Sequence, residues 1–139
     1  QRAVYEGYGT ASSHTSGEHQ SSRLVGRYYI ATYERRSGED DNYQIPNQNF
    51  SVGSTQGDGP TGTMTSDPFI IRGNTISFLL GGGCDHKTTF LELLVDGYPS
   101  LRATGKCAER MDRVHWDVAM FKNRSGQIRI VDNGSNEWG

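Results

Sequence analysis

Carboxylates and histidines are the side chains of this sequence that could do chemistry, and their spacing decides which chemistry is open. Glu39, Asp40 and Asp41 stand side by side in a polar stretch. Paired acids can hydrolyse a glycosidic bond, but adjacent acids in such a stretch more often form a solvated surface. The four histidines have no metal-ligand spacing, and no nucleophile, zinc-helix or phosphate-loop motif is present. The sequence therefore predicts that this chain is not an enzyme.

Composition and charge exclude two classes of partner. The chain has 139 residues, a length typical of one domain that spans residues 1–139. A net charge of −2 leaves no basic stripe for phosphates, so nucleic-acid binding is not expected. No apolar run is long enough to span a bilayer or to form a signal-peptide core, so direct membrane insertion is not expected either.

Short β-strands that end at glycine or Asx turns dominate the second half of the chain. With 33% hydrophobic residues and 18 glycines, the sequence favours an antiparallel β-sandwich over a layered α/β fold. Residues 1–26 are predicted as a polar lead-in, residues 27–34 as the first strong strand and residues 35–60 as a long loop. Residues 106–112 are predicted as a polar connector. The expected strands of the second half are 69–78, 91–97, 101–105, 115–121 and 126–132.

The two cysteines indicate the compartment. If strands 76–80, 89–95 and 100–104 run up, down and up, Cys84 and Cys107 fall at the same end and can form a disulfide. The alternative is two buried free thiols in an intracellular protein. Three N-glycosylation acceptors, at Asn49, Asn123 and Asn133, also favour a secreted protein or the extracellular part of a membrane protein.

Several local patterns predict scaffold roles. Trp116 and Val118 alternate with Asp117, so both should face inward. They should meet the aliphatic row Leu91, Leu93, Val95, Ile128 and Ile130. The glycines at 81–83 allow a close backbone approach, and Asp96-Gly97 favours a hairpin turn with positive φ angles.

The order of these patterns resembles a known family. It begins with Thr63-x-Thr65-Ser66-x-Pro68-Phe69 and Gly81-Gly-Gly83, continues with Leu93-x-Val95-Asp96-Gly97 and Ala103-Thr-Gly105, and closes with Trp116-Asp-Val118 and the segment 126–132. The chain is similar, over residues 61–139, to the non-catalytic β-sandwich module that accompanies some levanase-type fructan hydrolases. More loosely, it resembles the galactose-binding-like jelly rolls. The resemblance implies an all-β jelly roll in an extracellular protein.

The expected topology brings polar loops together at one end of the sandwich. The loops 55–60, 81–88, 105–113 and 132–138 should emerge there, and the turns 72–75, 96–99 and 122–125 at the other end. The ligand-binding candidates are Asp58, Asp85, His86, Lys87, Arg110, Arg113 and Trp138. Directed hydrogen bonds beside a flat aromatic ring suit recognition of a sugar or a protein. The alternative is that these are solvated loop residues with the acids paired to the arginines.

No cofactor is predicted, with calcium as the alternative. Asp58, Asp85 and Asp132 could hold a calcium ion through carboxylates and backbone carbonyls, and structural calcium is common in the sandwiches that this chain resembles.

The predicted function is non-catalytic recognition of a glycan or of an extracellular protein through these loops. The alternative is an accessory domain that packs against a catalytic or receptor domain, or a module for adhesion or assembly.

Overall fold

The computed structural model describes residues 61–135, together with Gly59, Trp138 and four short strands nearer the N-terminus. These strands are β1 (Val4–Glu6), β2 (Thr10–Ser12), β3 (His19–Ser21) and β4 (Tyr28–Ile30). They form two antiparallel pairs, β1 with β4 and β2 with β3. The first three lie within the predicted lead-in, and β4 lies within the predicted first strand. Apart from Gly59, the predicted loop 35–60 lies outside the described residues.

Seven strands follow between Gly62 and Asp132. They are β5 (Gly62–Thr65), β6 (Phe69–Ile70), β7 (Thr75–Gly82), β8 (Thr89–Val95), β9 (Tyr98–Ala103), β10 (Ala108–Asp117) and β11 (Ser125–Asp132). Every recorded pairing is antiparallel. In the described part of the chain, the helical content is a 3-10 turn at Ala119–Phe121, and no helix is long and apolar enough to cross a membrane. The prediction of an all-β antiparallel fold is confirmed.

Two sheets face each other. The larger sheet has the order β5-β11-β8-β9, with β6 added beside β11, and the smaller sheet pairs β7 with β10. The strands at 76–80 and 89–95, which the disulfide prediction takes as consecutive strands running up and down, lie in different sheets. The segment 83–88 crosses from one sheet to the other, and β7 takes its hydrogen bonds from β10 instead.

The core lies between the two sheets. Trp116 and Val118 are buried as predicted, and they meet Leu93, Val95 and Ile71. The ring of Phe78 packs edge-on against Trp116, with 4.7 Å between the ring centroids. Leu91 and Ile128 from the predicted row are half-buried against this cluster, whereas Ile130 is half-buried outside it. The alternation of inward and outward residues therefore sets which side chains remain for a site on each outer face.

Strand β10 is a correction to the sequence prediction. Residues 106–112, predicted as a connector, belong to β10 from Ala108 onward. The regular pairing of β10 with β7 extends from Trp116 and Val114 back to Asp112, which pairs with Leu80. The register is irregular between Asp112 and Ala108. Backbone pairing to β7 thus makes a strand of a polar segment that lacks a hydrophobic repeat. The strand predicted at 115–121 ends at Asp117, where the carboxylate accepts the Ala119 N–H at 3.0 Å and the 3-10 turn begins.

The hairpin between β8 and β9 is confirmed. Asp96 and Gly97 have φ angles of 51° and 85°, as the turn requires. Asp96 also accepts hydrogen bonds from the Arg124 side chain at 2.7 Å and from the Ser125 N–H at 3.1 Å. This turn therefore anchors the start of β11 at the same end of the molecule.

Candidate functional site

A disulfide marks one end of the two sheets. Cys84 and Cys107 are bonded, with 5.0 Å between their Cα atoms, and the Cys107 N–H donates to the Gly82 carbonyl at 3.0 Å. The predicted pairing is confirmed, although it closes the ends of β7 and β10 rather than two strands of one long sheet. We call this region, residues 82–88, 104–108, 132–135 and Trp138, the disulfide end. The other end, with the Asp96-Gly97 turn, is the turn end.

Glycines bring three chain segments of the disulfide end into backbone contact. A Cβ atom at Gly83 would lie 2.3 Å from the Trp138 carbonyl oxygen, and one at Gly105 would lie 2.3 Å from the Gly82 oxygen. Only glycine allows approaches this close. The Asn133 N–H also donates to the Thr88 carbonyl at 2.8 Å. The close approach predicted for the glycines at 81–83 is thereby confirmed, and the loop that follows them is fixed at its base.

Asp85 organises the loop between β7 and β8. Its carboxylate accepts the Lys87 N–H at 2.9 Å, and its carbonyl accepts the N–H groups of Thr88 and Thr89 at 3.2 and 2.8 Å. The hydrogen bond from the Lys87 N–H holds the pKa of Asp85 below its usual value. The carboxylate that was a ligand candidate is engaged in its own turn, which leaves the side chains of His86 and Lys87 exposed at the tip.

The remaining ligand candidates lie at the disulfide end, along β10 or outside the described residues. Trp138 is half-buried at the disulfide end with its carbonyl against Gly83. Arg110 lies at the irregular start of β10, and Arg113 points to the outer face of the smaller sheet because Val114 beside it points inward. Asp58 lies outside the described residues. A role in binding stays a prediction for each of these residues.

Arg110 has a structural partner. Its guanidinium lies 3.2 Å from Asp112, and Lys106 lies 2.9 Å from the same carboxylate. Hydrogen bonds from Lys106 and then from Arg110 hold the pKa of Asp112 below its usual value. These contacts agree with the alternative prediction that the acids of the loops pair with the cations.

A charged cluster that the sequence did not predict lies on the outer face of the larger sheet. Glu92 lies between Leu91 and Leu93, so it points away from the core, yet its side chain is only 1% exposed. Arg102 on β9 donates to Glu92 Oε2 at 2.9 Å, and Arg129 on β11 donates to Oε1 at 2.5 Å. Both arginines stand directly opposite Glu92 in the ladder. The period-2 pattern indicates the outward position of Glu92, but the two partners follow only from the strand register, which the sequence did not provide.

Arg102 joins this cluster to the loop. Its Nη1 donates to the His86 carbonyl at 2.9 Å, and its guanidinium carbon lies 3.5 Å from the centre of the Phe90 ring. Beside it is an open depression of about 190 Å³. It is lined by Glu92, Pro99, Ser100, Leu101 and Arg102. A fixed polar surface therefore extends from the loop tip onto the sheet.

The structure describes only some of the residues predicted for calcium binding and for glycosylation. Within residues 61–135 and the other described positions, no group of three or more His, Cys, Asp or Glu side chains is arranged to hold a metal ion. Asp85 and Asp132 lie at the disulfide end, and Asp58 and Asn49 lie outside the described residues. Asn123 is exposed at the turn end, and Asn133 is exposed at the disulfide end.

Comparison with known proteins relates this chain to a segment of a longer one. It is 41% identical over 83 residues to “Putative glycosyl hydrolase ecdE” of Aspergillus rugulosus. The match covers 60% of this chain but only 12% of that relative. No family model matches the chain, and no solved structure matches it.

Proposed function

We propose that this chain is a non-catalytic extracellular module that recognises a carbohydrate at the disulfide end. The observation that carries the proposal is the loop 85–88. Its exposed His86 and Lys87 side chains stand on a backbone held by the disulfide, by the Asp85 turn and by Arg102. A loop fixed in advance loses little entropy when it binds, which suits ligands whose hydroxyl groups need well-placed partners.

Two further observations support sugar recognition outside the cell. The name of the Aspergillus rugulosus relative connects a protein that contains a similar segment with glycoside chemistry. The disulfide is compatible with an oxidising compartment. The jelly-roll resemblance, with its levanase-associated and galactose-binding-like modules, is part of the same proposal.

The state of the acids supports binding without catalysis. A glycosidase needs one carboxyl group with a raised pKa as the general acid. Asp85, Asp96 and Asp112 have pKa values below their usual range, chiefly because the Lys87 N–H, Arg124 and Lys106 donate to them. Glu92 is held by two guanidinium groups. Among the described residues, Asp85, Asp96 and Asp112 are therefore suited to structural pairing rather than to proton donation.

A glycan array with matched variants tests the proposal. The disulfide-bonded chain should bind a subset of glycans saturably, with and without added calcium. His86→Ala and Lys87→Ala should each weaken binding roughly tenfold, since each removes a polar contact to the ligand. Lys122→Ala is the control, because it removes the same kind of side chain from the exposed turn at the opposite end of the molecule. An array without binding, or binding that both His86→Ala and Lys87→Ala leave unchanged, would contradict the proposal.

Exposed apolar side chains at the turn end support a second candidate function. Phe69, Ile70, Tyr98 and Met120 are 37–80% exposed at the turn end. Apolar groups gathered in this way favour contact with another domain. We propose as the second candidate an accessory domain that packs against a larger one. Size-exclusion chromatography of this chain, mixed with the Aspergillus rugulosus protein lacking its matched segment, should show co-elution that Tyr98→Ser with Met120→Ser abolishes.

A further inference from the structure

The depression beside Arg102 has the size of a site for one small polar group or sugar unit. Its volume is about 190 Å³, and it is open to solvent. The floor includes Glu92, and the walls come from the first half of β9, where the register shifts between the pairs made by Leu93 and Leu94. Ser100 falls between these two pairs and lines the depression.

The cluster carries a surplus positive charge. Two guanidinium groups face one carboxylate, which gives a formal sum of +1. Glu92 is 1% exposed, whereas Arg102 and Arg129 are 41% and 34% exposed. The negative charge is therefore covered, and Arg102 is the positively charged residue that lines the depression, beside Pro99, Ser100 and Leu101.

The two arginines have different roles beside Glu92. Arg129 donates to Oε1 of Glu92, and Arg102 donates to Oε2. One arginine would neutralise Glu92 by itself, so the second leaves a charge for an incoming anion. Arg102 lines the depression and is therefore the group that would contact that anion.

Arg102 has donors to spare among its described contacts, and its plane is fixed. Its bonds with His86 and Glu92 use two of the five N–H donors of a guanidinium group. The guanidinium carbon lies over the Phe90 ring, 3.5 Å from its centre, in a cation–π contact that restrains the group. A planar guanidinium edge matches the two oxygens of a carboxylate better than it matches single hydroxyl groups.

We infer that this depression binds the carboxylate of an acidic sugar, a uronic acid unit, with Arg102 as the contacting residue and Arg129 as a positioning residue. The inference rests on the proposed function, because it names the class of carbohydrate and extends the same surface from the loop 85–88. The remaining sugar hydroxyl groups would lie toward His86, whose carbonyl already binds Arg102.

Calorimetric titration with matched sugars tests the inference on the unaltered chain. The probes are short oligomers of galacturonate and of glucuronate, each compared with its methyl ester, which keeps the stereochemistry and removes the charge. At least one acid should bind about tenfold or more tightly than its ester, because a charged hydrogen bond would be lost in the ester. The preference should weaken as salt is raised.

Substitutions then test which residues are responsible for the preference for the acid. Arg102→Met and Arg129→Gln should each lower the affinity for the acid to that for the ester, whereas Arg129→Lys, which keeps the charge, should retain most of the preference. Arg124→Gln at the turn end is the control and should change neither affinity. Thermal melts confirm that each variant is folded, and the comparison of acid with ester does not depend on any variant.

The outcomes separate the two proposals. Equal binding of acids and esters would overturn the inference and leave sugar recognition standing. An acid preference that survives Arg102→Met would also overturn it, since the contact would lie elsewhere. Failure of every acid and ester to bind, together with an empty glycan array, would overturn the proposed function and this inference with it.

Discussion

Replacing Glu92 by Gln tests whether the charged cluster is the fixed element that the candidate site needs. The substitution preserves the shape of the side chain but removes the charge that two arginines share. The amide nitrogen also cannot accept the hydrogen bond that one carboxylate oxygen now accepts. One of the two arginines, Arg102 or Arg129, then loses its hydrogen bond to this side chain.

The magnitude follows from the burial of the three groups. Removing one partner of a buried ion pair costs roughly 3–5 kcal/mol. Here the acid is 1% exposed, but its partners are 41% and 34% exposed, so water stabilises part of the charge that is left unpaired. We therefore expect the unfolding free energy to fall by about 2–3 kcal/mol.

Urea unfolding at 25 °C measures this loss. Urea is preferred to guanidinium, which competes with arginine for carboxylates. The midpoint should fall by about 1 M or more at an unchanged slope. Asp96→Asn is the matched control, because Asp96 also pairs with an arginine, at 2.7 Å, but both partners are 44–46% exposed. Its midpoint should move much less. Equal shifts in the two variants would refute the reasoning.

Three other predictions concern the disulfide end. Cys84→Ser with Cys107→Ser opens a loop with a sequence separation of 23, and chain entropy predicts a loss of about 3.4 kcal/mol in thermal or urea unfolding; an unchanged midpoint would contradict it. Gly105→Ala should lower the unfolding free energy by about 1–3 kcal/mol, because the new Cβ meets a backbone oxygen at 2.3 Å. Gly73→Ala, whose nearest contact is 3.7 Å, should change it little. Asp85 has a lowered pKa in the folded chain, so its charge stabilises the fold above about pH 4 and this contribution is lost as the pH falls below that value. The stability difference between the wild type and Asp85→Asn should therefore shrink below pH 4, and a constant difference would contradict the prediction.

The sequence predicts the scaffold well where local chemistry decides the outcome. Asp96-Gly97 requires positive φ angles in whichever sheet it lies, and Trp116 alternates with a charged neighbour, so its inward direction is fixed. The disulfide followed from the positions of Cys84 and Cys107 at strand ends. The turn and the direction of Trp116 depend on a few neighbouring residues, and the structure confirms all three features.

The sequence predicts poorly what depends on pairing between distant strands. Residues 106–112 have no hydrophobic repeat, so nothing local indicates that β7 would pair with part of them. Glu92 shows the same limit for the candidate site. Its outward position is visible in the alternation, but Arg102 and Arg129 become its partners only through the register of β8 with β9 and β11.

The most direct measurement of the central claim is an NMR titration of the disulfide-bonded chain with the best ligand from the glycan array. Our account predicts that the shift changes are confined to the backbone of residues 85–88 and 100–102 and to the indole of Trp138. Shift changes centred instead on Phe69, Ile70, Tyr98 and Met120 would place the ligand at the turn end. That result would contradict recognition at the disulfide end.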